Sequence, residues 1–451
     1  MEKIDRLRHY GLFDAQVPRY TSYPPANHFA PDAGQVQQLN WLRAVPGAAV
    51  VSIYIHIPFC RRLCWFCACR TQGTKTRRPV DDYVDVLRKE IASVRATLPA
   101  GIRMGRLHLG GGTPTILSAR TMQRLLETLF ANFKPAETLE FSVEIDPTDA
   151  SDSVLKTLLA FGMNRASIGV QDFTQKVQAA IGRAQSLEQT RRVVDIVRGA
   201  GIGGVNFDLL YGLPHQTTES FAQTLRHVGD LRPDRLAIYG YAHVPWISKR
   251  QMLIRTEDLP DNEARLGLAE MTRDVLCDRG YEAIGIDHFA MPDDPLAIAA
   301  REGRLRRNFQ GYTDDRCAAL IGLGASSISR FPHGYVQNQP ATSTYLRRIE
   351  TTGLAGRRGY VMTDHDQLVA MMIEDLMCRF AFREDALREK FPKSEALIRR
   401  TAVSLMSRFP DVFFISRGGL KMQPEFRQLV RIVASFIDGF AQAGSSHSSA
   451  I

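Results

Sequence analysis

Between residues 48 and 330, short apolar runs alternate with amphipathic stretches, and nothing else in the chain limits its fold as strongly. The runs are Val50–Ile57 and the segments 106–111, 138–145, 165–170, 203–210 and 235–242. Between the first two lies Val80–Leu98, where Tyr83, Val84, Leu87, Ile91 and Val94 recur at helical spacing. Strand–helix alternation of this kind packs as a parallel sheet with right-handed crossovers. Six such units fit an open barrel or a doubly wound sheet. The polar and glycine-rich signatures fall just after the runs, at the strand ends where β/α barrels build their sites. The expected fold is therefore α/β, a partial (β/α)6 barrel.

The flanks differ in character. Residues 1–45 lack clear periodicity and contain PRYTSYPPA (Pro18–Ala26). Prolines and aromatics there predict an extended arm that packs against the rest of the chain. From about 355 onward helical patterns dominate: Gln367–Phe380, Ser394–Phe409 and Pro424–Phe440. VFFISRGGLKM reads as a hairpin turning at Gly418 and Gly419. The expected organisation is an N-terminal arm (1–45), a barrel with an extension (46–350), a small, mostly helical C-terminal domain (351–443) and a disordered polar tail (444–451). His447 in that tail needs no functional role.

Composition excludes several classes. The 451 residues are 44% hydrophobic and 23% charged, which fits a globular protein. No apolar run approaches the roughly 18 residues that span a membrane. The beginning MEKIDRLRHYGLF carries no secretory signal, so the cytoplasm is the expected location. The formal charge is +9, but the basic residues are scattered without an aromatic-interleaved stripe, so no nucleic-acid partner is expected. The densest groups, Arg70–Arg78 and Arg301–Arg307, read as solvated faces or as receivers of a polyanionic substrate.

Four cysteines fall within ten residues: Cys60, Cys64, Cys67 and Cys69. The first three have the spacing C-x3-C-x2-C. Three thiolates hold three corners of a cubane iron–sulfur cluster and leave one iron open to a ligand. The rival is a closed zinc site, but zinc ligands usually come as C-x2-C pairs a dozen or more residues apart. Disulfides are disfavoured by an odd total of seven cysteines. Cys277, Cys317 and Cys378 stand singly and are expected to be buried thiols.

Other motifs sit at strand ends. GGGTP (Gly110–Pro114) offers backbone that a ligand can approach closely. VEIDP places Glu144 and Asp146, and NFDLL places Asp208, where a carboxylate accepts from ribose hydroxyls or caps the next helix. IGVQDF supplies Gln171, with Arg183 following in IGRAQ. Tyr239, Tyr241 and His243 share one strand face, as do Tyr54 and His56. Tyrosine and histidine in such places are more often satisfied core groups than catalysts.

The run YIHIPFCRRLCWFC, with its preceding strand and following GGGTP, resembles the radical S-adenosylmethionine (SAM) enzymes. Collinear matches to PRYTSYP, Cys69, LHLGGGTPT, VEIDP, SIGVQDF, NFDLLYGLP, YAHVP, GIDHFA and RNFQGYT extend over about residues 15–380. They resemble the oxygen-independent coproporphyrinogen III oxidase family of haem biosynthesis. The C-terminal seventy residues fit that family less well. The resemblance implies a [4Fe–4S] cluster on Cys60, Cys64 and Cys67, with Cys69 not a ligand, and two SAM molecules. It implies contacts to the first SAM from Tyr54, Gly111, Glu144 and Ile328. Contacts to the second would come from Phe66, Gly112, Thr113, Gln171, Arg183, Asp208 and Ala242. Gln310, Tyr54 and His56 are the expected catalytic side chains, and the arm would fold over the substrate. The implied reaction converts two propionates of coproporphyrinogen III to vinyl groups after hydrogen abstraction from each propionate β-carbon. A low-potential electron donor and a monomeric state are implied as well. The alternatives are a haem-binding chaperone or a haem-opening enzyme of the same superfamily, and a zinc-bound nucleic-acid-binding protein.

Overall fold

The computed structural model describes residues 3–441 and 449–451. Six strands form a parallel sheet in chain order: β1 (Val50–Ile57), β2 (Arg103–Gly111), β3 (Lys134–Ile145), β4 (Arg165–Gln171), β5 (Gly204–Tyr211) and β6 (Arg235–Gly240). Helices such as Arg78–Thr97, Ala119–Asn132 and Thr218–Leu231 carry the chain between them. Their starts are fixed locally. Ser118 accepts from the Thr121 amide, and Ser186 and Thr217 form capping boxes with Gln189 and Ser220.

Antiparallel strands extend both edges. Beyond β6 lie β8 (His288–Ala290) and then β7 (Glu282–Ile284). Beyond β1 lie β9 (Leu320–Leu323), which is parallel to it, and the antiparallel β10 (Ile328–Phe331), β11 (Gly334–Asn338) and β12 (Gly356–Val361). The outermost strands β7 and β12 do not pair, so the sheet stays open.

Period-2 alternation decides which way the sheet curls. Ile53, Ile55, Leu107, Leu109, Phe141, Val143, Ile168, Phe207 and Leu236 point to the helices and are buried. Each such side chain contributes about 1.5–3 kcal/mol by leaving water. The alternate positions are polar and turn inward. They include Ser52, Tyr54, His108, Ser142, Glu144, Ser167, Asn206, Asp208 and Tyr239, and all line one cavity of about 880 Å3. The floor of this cavity is a chain of ion pairs. Arg106 bridges Glu140 and Asp314, each at 2.7 Å, Arg165 joins Glu140 (3.3 Å) to Asp294 (3.4 Å), and Arg235 holds Asp294 at 2.5 Å.

The arm is less extended than expected. It contains helices Lys3–His9 and Gln35–Arg43, the first too short to show a period. Leu7, Tyr10, Leu12 and Phe13 belong to the same core as Leu368, Met372, Leu405, Phe426 and Leu429 of the C-terminal helices. Because β12 pairs with the main sheet, that helical unit begins at Thr363, which caps helix Asp364–Arg379, rather than at 351. Helices Glu395–Arg408 and Val430–Ile437 follow, and the hairpin Phe413–Ser416/Gly419–Met422 turns through Gly418. The tail expected to be disordered behaves otherwise at its end. Ser449 bridges to Gln16, the Ala450 amide donates to the Ala15 carbonyl at 2.8 Å, and Ala450 and Ile451 are buried. Two apolar residues that find a core outweigh the polar run before them, while residues 444–448, with His447, lie outside the described residues. Among the single cysteines, Cys378 is buried and Cys317 half-buried, but Cys277 is exposed, on the solvent side of helix Asn262–Asp278. No helix among the described residues is long and apolar enough to cross a membrane.

Candidate active site

The cysteine loop follows β1 and closes over the C-terminal end of the sheet. Pro58 to Cys60 is pinned by the Gln72 amide to the Pro58 carbonyl (2.8 Å) and the Thr74 amide to the Cys60 carbonyl (3.0 Å). Further along, the Trp65 amide donates to the Ile181 carbonyl at 2.9 Å. The turn after β6 holds the far side. Ser248 donates to the Cys67 carbonyl (3.0 Å), Gln251 to that of Phe66 (2.7 Å), and Arg250 to those of Cys69 and Thr71 (3.2 Å each). Cys60, Cys64, Cys67 and Cys69 all edge the cavity.

The sulfurs meet polar partners. Thr113 Oγ1 donates to Cys60 Sγ at 3.6 Å, Arg183 Nη1 to Cys64 Sγ at 3.6 Å, and the Cys69 amide to Cys67 Sγ at 3.4 Å. Hydrogen bonding from Cys69 outweighs burial and draws the Cys67 thiol down, while burial pushes Cys60 up to about 11. A loop that brings three thiols to one cavity edge, with a guanidinium beside Cys64, suits a multi-iron cluster held by three cysteines.

GGGTP lies against the loop. The amides of Gly112 and Thr113 donate to the Ile57 and Phe59 carbonyls at 2.8 and 2.9 Å, so this backbone packs directly on the strand end before the cysteines. Gly111 has φ +112°, and its amide donates to Glu144 Oε2 at 3.0 Å. Glu144 Oε1 faces His108 Nε2 at 3.2 Å, and Ser142 lies 2.6 Å from His108 Nδ1. Burial by itself would raise the Glu144 pKa. The bonds from His108 and Gly111 win, and hold the carboxyl below its ordinary value. Asp208 differs: burial dominates and raises it, although Ser167 (2.8 Å) and Asn206 (2.9 Å) donate to it. Arg183 is buried, with Nη1 3.1 Å from Asp146 and Nη2 donating to the Gly169 carbonyl at 2.9 Å. Gln171 occupies the left-handed region at φ +66°, a strained conformation for a non-glycine residue, at the tip of β4 on the cavity wall.

The cavity brings together most of the residues singled out in the sequence: Tyr54, Cys60, Cys64, Phe66, Cys67, Gly111, Gly112, Thr113, Glu144, Gln171, Arg183, Asp208, Ala242 and Gln310. Gln310 is on an exposed turn, its amide bonded to Asn308 Oδ1 at 2.9 Å. Two are set apart. His56 does not line the cavity: it is buried beneath Gly111, with Nδ1 2.9 Å from the Tyr54 hydroxyl and Nε2 3.4 Å from the Arg70 carbonyl, and burial lowers its pKa. That is a satisfied core histidine, hydrogen-bonded to Tyr54 and off the cavity wall where the sequence reading expected a catalytic group. Ile328 also lies off the cavity lining, on β10, with its backbone packed on Gly322, which is paired to Tyr54.

Sequence reading missed the clamp of Ser248, Arg250 and Gln251, the floor arginines 106, 165 and 235, and His108. Strand parity could have found the last four, since each is an inward position on a run already recognised. The clamp left no local signal. Arg19 of the arm was missed as well: it lines the cavity and donates to the Gly240 carbonyl at 2.7 Å.

The Radical SAM superfamily profile matches residues 54–228. The chain is 48% identical over 452 residues to the oxygen-independent coproporphyrinogen III oxidase of Paracoccus denitrificans (strain Pd 1222), covering all of both chains. It is 43% identical over 363 residues to the protein of the same name from Escherichia coli (strain K12), covering 80% of this chain and 79% of that one. Among solved structures, coproporphyrinogen III oxidase (HemN) from Escherichia coli, a radical SAM enzyme, superposes with a TM-score of 0.89 at 36% identity. That match covers 94% of this chain and 100% of that one.

Proposed function

The chain belongs to the oxygen-independent coproporphyrinogen III oxidase family of radical SAM enzymes, and from that premise we propose how its cavity oxidises coproporphyrinogen III to protoporphyrinogen IX. One observation carries the reading: the three-cysteine loop, the GGGTP backbone and the inward carboxylates all open on a single cavity of about 880 Å3. The names of the relatives do not favour the haem-carrier or haem-opening alternatives.

The cofactors are a [4Fe–4S] cluster and SAM. Bound in this cavity, they supply a 5′-deoxyadenosyl radical able to take a hydrogen atom from a propionate β-carbon. Cys60, Cys64 and Cys67 hold the cluster. Tyr54, Gly111 and Glu144, with the Ile328 backbone more remotely, hold one SAM. Glu144 is suited to accept from an ammonium because its carboxyl stays ionised. Phe66, Gly112, Thr113, Gln171, Arg183, Asp208 and Ala242 hold a second SAM. Gln310 and Tyr54 face the substrate, and His56 orients the Tyr54 hydroxyl. Arg19 and Thr21 bring the arm to the cavity wall, where it helps exclude water from a reactive carbon radical. We further infer a cytoplasmic monomer reduced by a low-potential carrier.

The test is anaerobic turnover of iron–sulfur-reconstituted protein with coproporphyrinogen III, SAM and dithionite. Protoporphyrinogen IX formed in step with 5′-deoxyadenosine supports the reading. Deoxyadenosine formed without any change in the tetrapyrrole refutes it.

A further inference from the structure

The turn from Val244 to Arg255 is built inside out. Its polar side chains Ser248 and Gln251 are buried against the cysteine loop, while Trp246 (53% exposed), Ile247 (62%), Met252 (72%) and Leu253 (58%) stand in solvent. Four large apolar side chains exposed within eight residues are unusual on a water-facing surface and mark a contact site. None of the four lines the cavity.

The two segments that meet here are rich in basic residues. Residues 60–78 contain six arginines and lysines and no acid, and residues 244–255 contain three and no acid. Arg61, Arg78 and Arg255 have carboxylate partners. Arg62, Arg70, Lys75, Arg77 and Lys249 are exposed and make no ion pair among the described residues. Exposed apolar side chains with Lys249 and Arg250 between them on one turn fit an acidic protein partner, which charge steers and the apolar contact retains.

On the reading of the site as a radical SAM oxidase, we propose that this face, the Val244–Arg255 turn together with the cysteine loop, is the docking surface for an acidic one-electron carrier protein of the flavodoxin kind. The turn is hydrogen-bonded to the carbonyls of Phe66, Cys67, Cys69 and Thr71, so a partner seated on it sits against the loop that holds the cluster. The balance is simple: the carrier's flavin hydroquinone loses one electron and becomes the semiquinone, and the cluster held by the loop gains that electron.

The experiment compares wild type with a W246S/L253S double variant and with K249E, using a flavodoxin as the probe. Binding is measured by interferometry on cluster-free and on reconstituted protein, at low and high salt. The expected result is about tenfold weaker binding in the double variant, weaker binding in K249E, and loss of wild-type affinity as salt rises. Deoxyadenosine formation driven by flavodoxin hydroquinone should fall in parallel, while formation driven by dithionite, which needs no docking, stays at the wild-type rate. Unaltered flavodoxin binding in both variants overturns the proposal, as does wild-type protein that does not bind flavodoxin. Equal loss with both reductants overturns it too, since the turn would then act on the site itself. Failure of the wild type to turn over coproporphyrinogen with dithionite would refute the functional reading instead, and leaves the binding result to judge the surface.

Discussion

Gln251 ties the turn after β6 to the cysteine loop: its Nε2 donates to the Phe66 carbonyl at 2.7 Å and to the Ala242 carbonyl at 3.1 Å, while its Oε1 accepts from the Val244 amide. The side chain is buried, so each partner it leaves unpaired costs about 1–3 kcal/mol. Gln251→Ala is expected to lower stability by about 3 kcal/mol on that basis and to loosen the loop. Thermal melts and iron per chain after reconstitution should both fall. An unchanged iron stoichiometry would mean the loop is held without the clamp.

Gly111 admits no side chain. A Cβ there would lie 2.5 Å from the His56 ring, on a backbone at φ +112° that L residues rarely adopt. Gly111→Ala must displace His56 or lose the amide bond to Glu144. The expected cost is about 1–3 kcal/mol of stability, with SAM affinity lost more than cluster content. Calorimetric SAM titration against cluster absorbance separates the two.

Arg183 neutralises Asp146 while bonded to Gly169 and Gln185. Arg183→Ala leaves Asp146 without its guanidinium, and losing one partner of a buried pair costs about 3 kcal/mol or more. Arg183→Lys keeps the charge but not the fork, so it should recover part of the melting temperature and little of the SAM affinity. Full recovery of affinity by lysine would show that charge alone matters.

Glu90 gives the protein a pH slope away from the site. Its carboxyl is fully buried and accepts from Gly324 N, Tyr345 Oη and Asn338 Nδ2 at 2.6–2.7 Å, yet burial outweighs these donors and raises its pKa from 4.5 to about 7. The folded state thus keeps a proton that the unfolded chain has already lost. Stability falls as pH rises from about 4.5 to 7, by roughly 3 kcal/mol, and levels off above. Denaturant melts across pH 5 to 8 should show this slope in wild type and lose it in Glu90→Gln. The same slope in both proteins would assign it to another group.

Serine substitutions should divide the cysteines. Cys60→Ser, Cys64→Ser and Cys67→Ser are each expected to lose most of the cluster absorbance, because each would remove one of the three proposed ligands. Cys69→Ser should keep it, losing only the partner that holds the Cys67 thiol down. Iron and sulfide analysis of the four variants checks this.

The sequence by itself determined the parallel strand order, the family and most of the cavity wall, because both signals are local. Period-2 alternation fixes which side chains of a strand share a face. Tight spacing puts Cys60, Cys64 and Cys67 on one loop, and glycine at 110–112 removes the side chains that would block it. Tertiary structure alone decided the rest. His56 and Tyr54 share a face by parity, yet packing beneath Gly111 buries one and opens the other to the cavity. Helix Lys3–His9 has too few turns to announce itself and takes its place from a core of C-terminal side chains. Ser248, Arg250 and Gln251 find Cys67, Cys69 and Phe66 about 180 residues away. Such pairings depend on where two separate chain segments arrive in space, and no periodicity or motif within either segment records that.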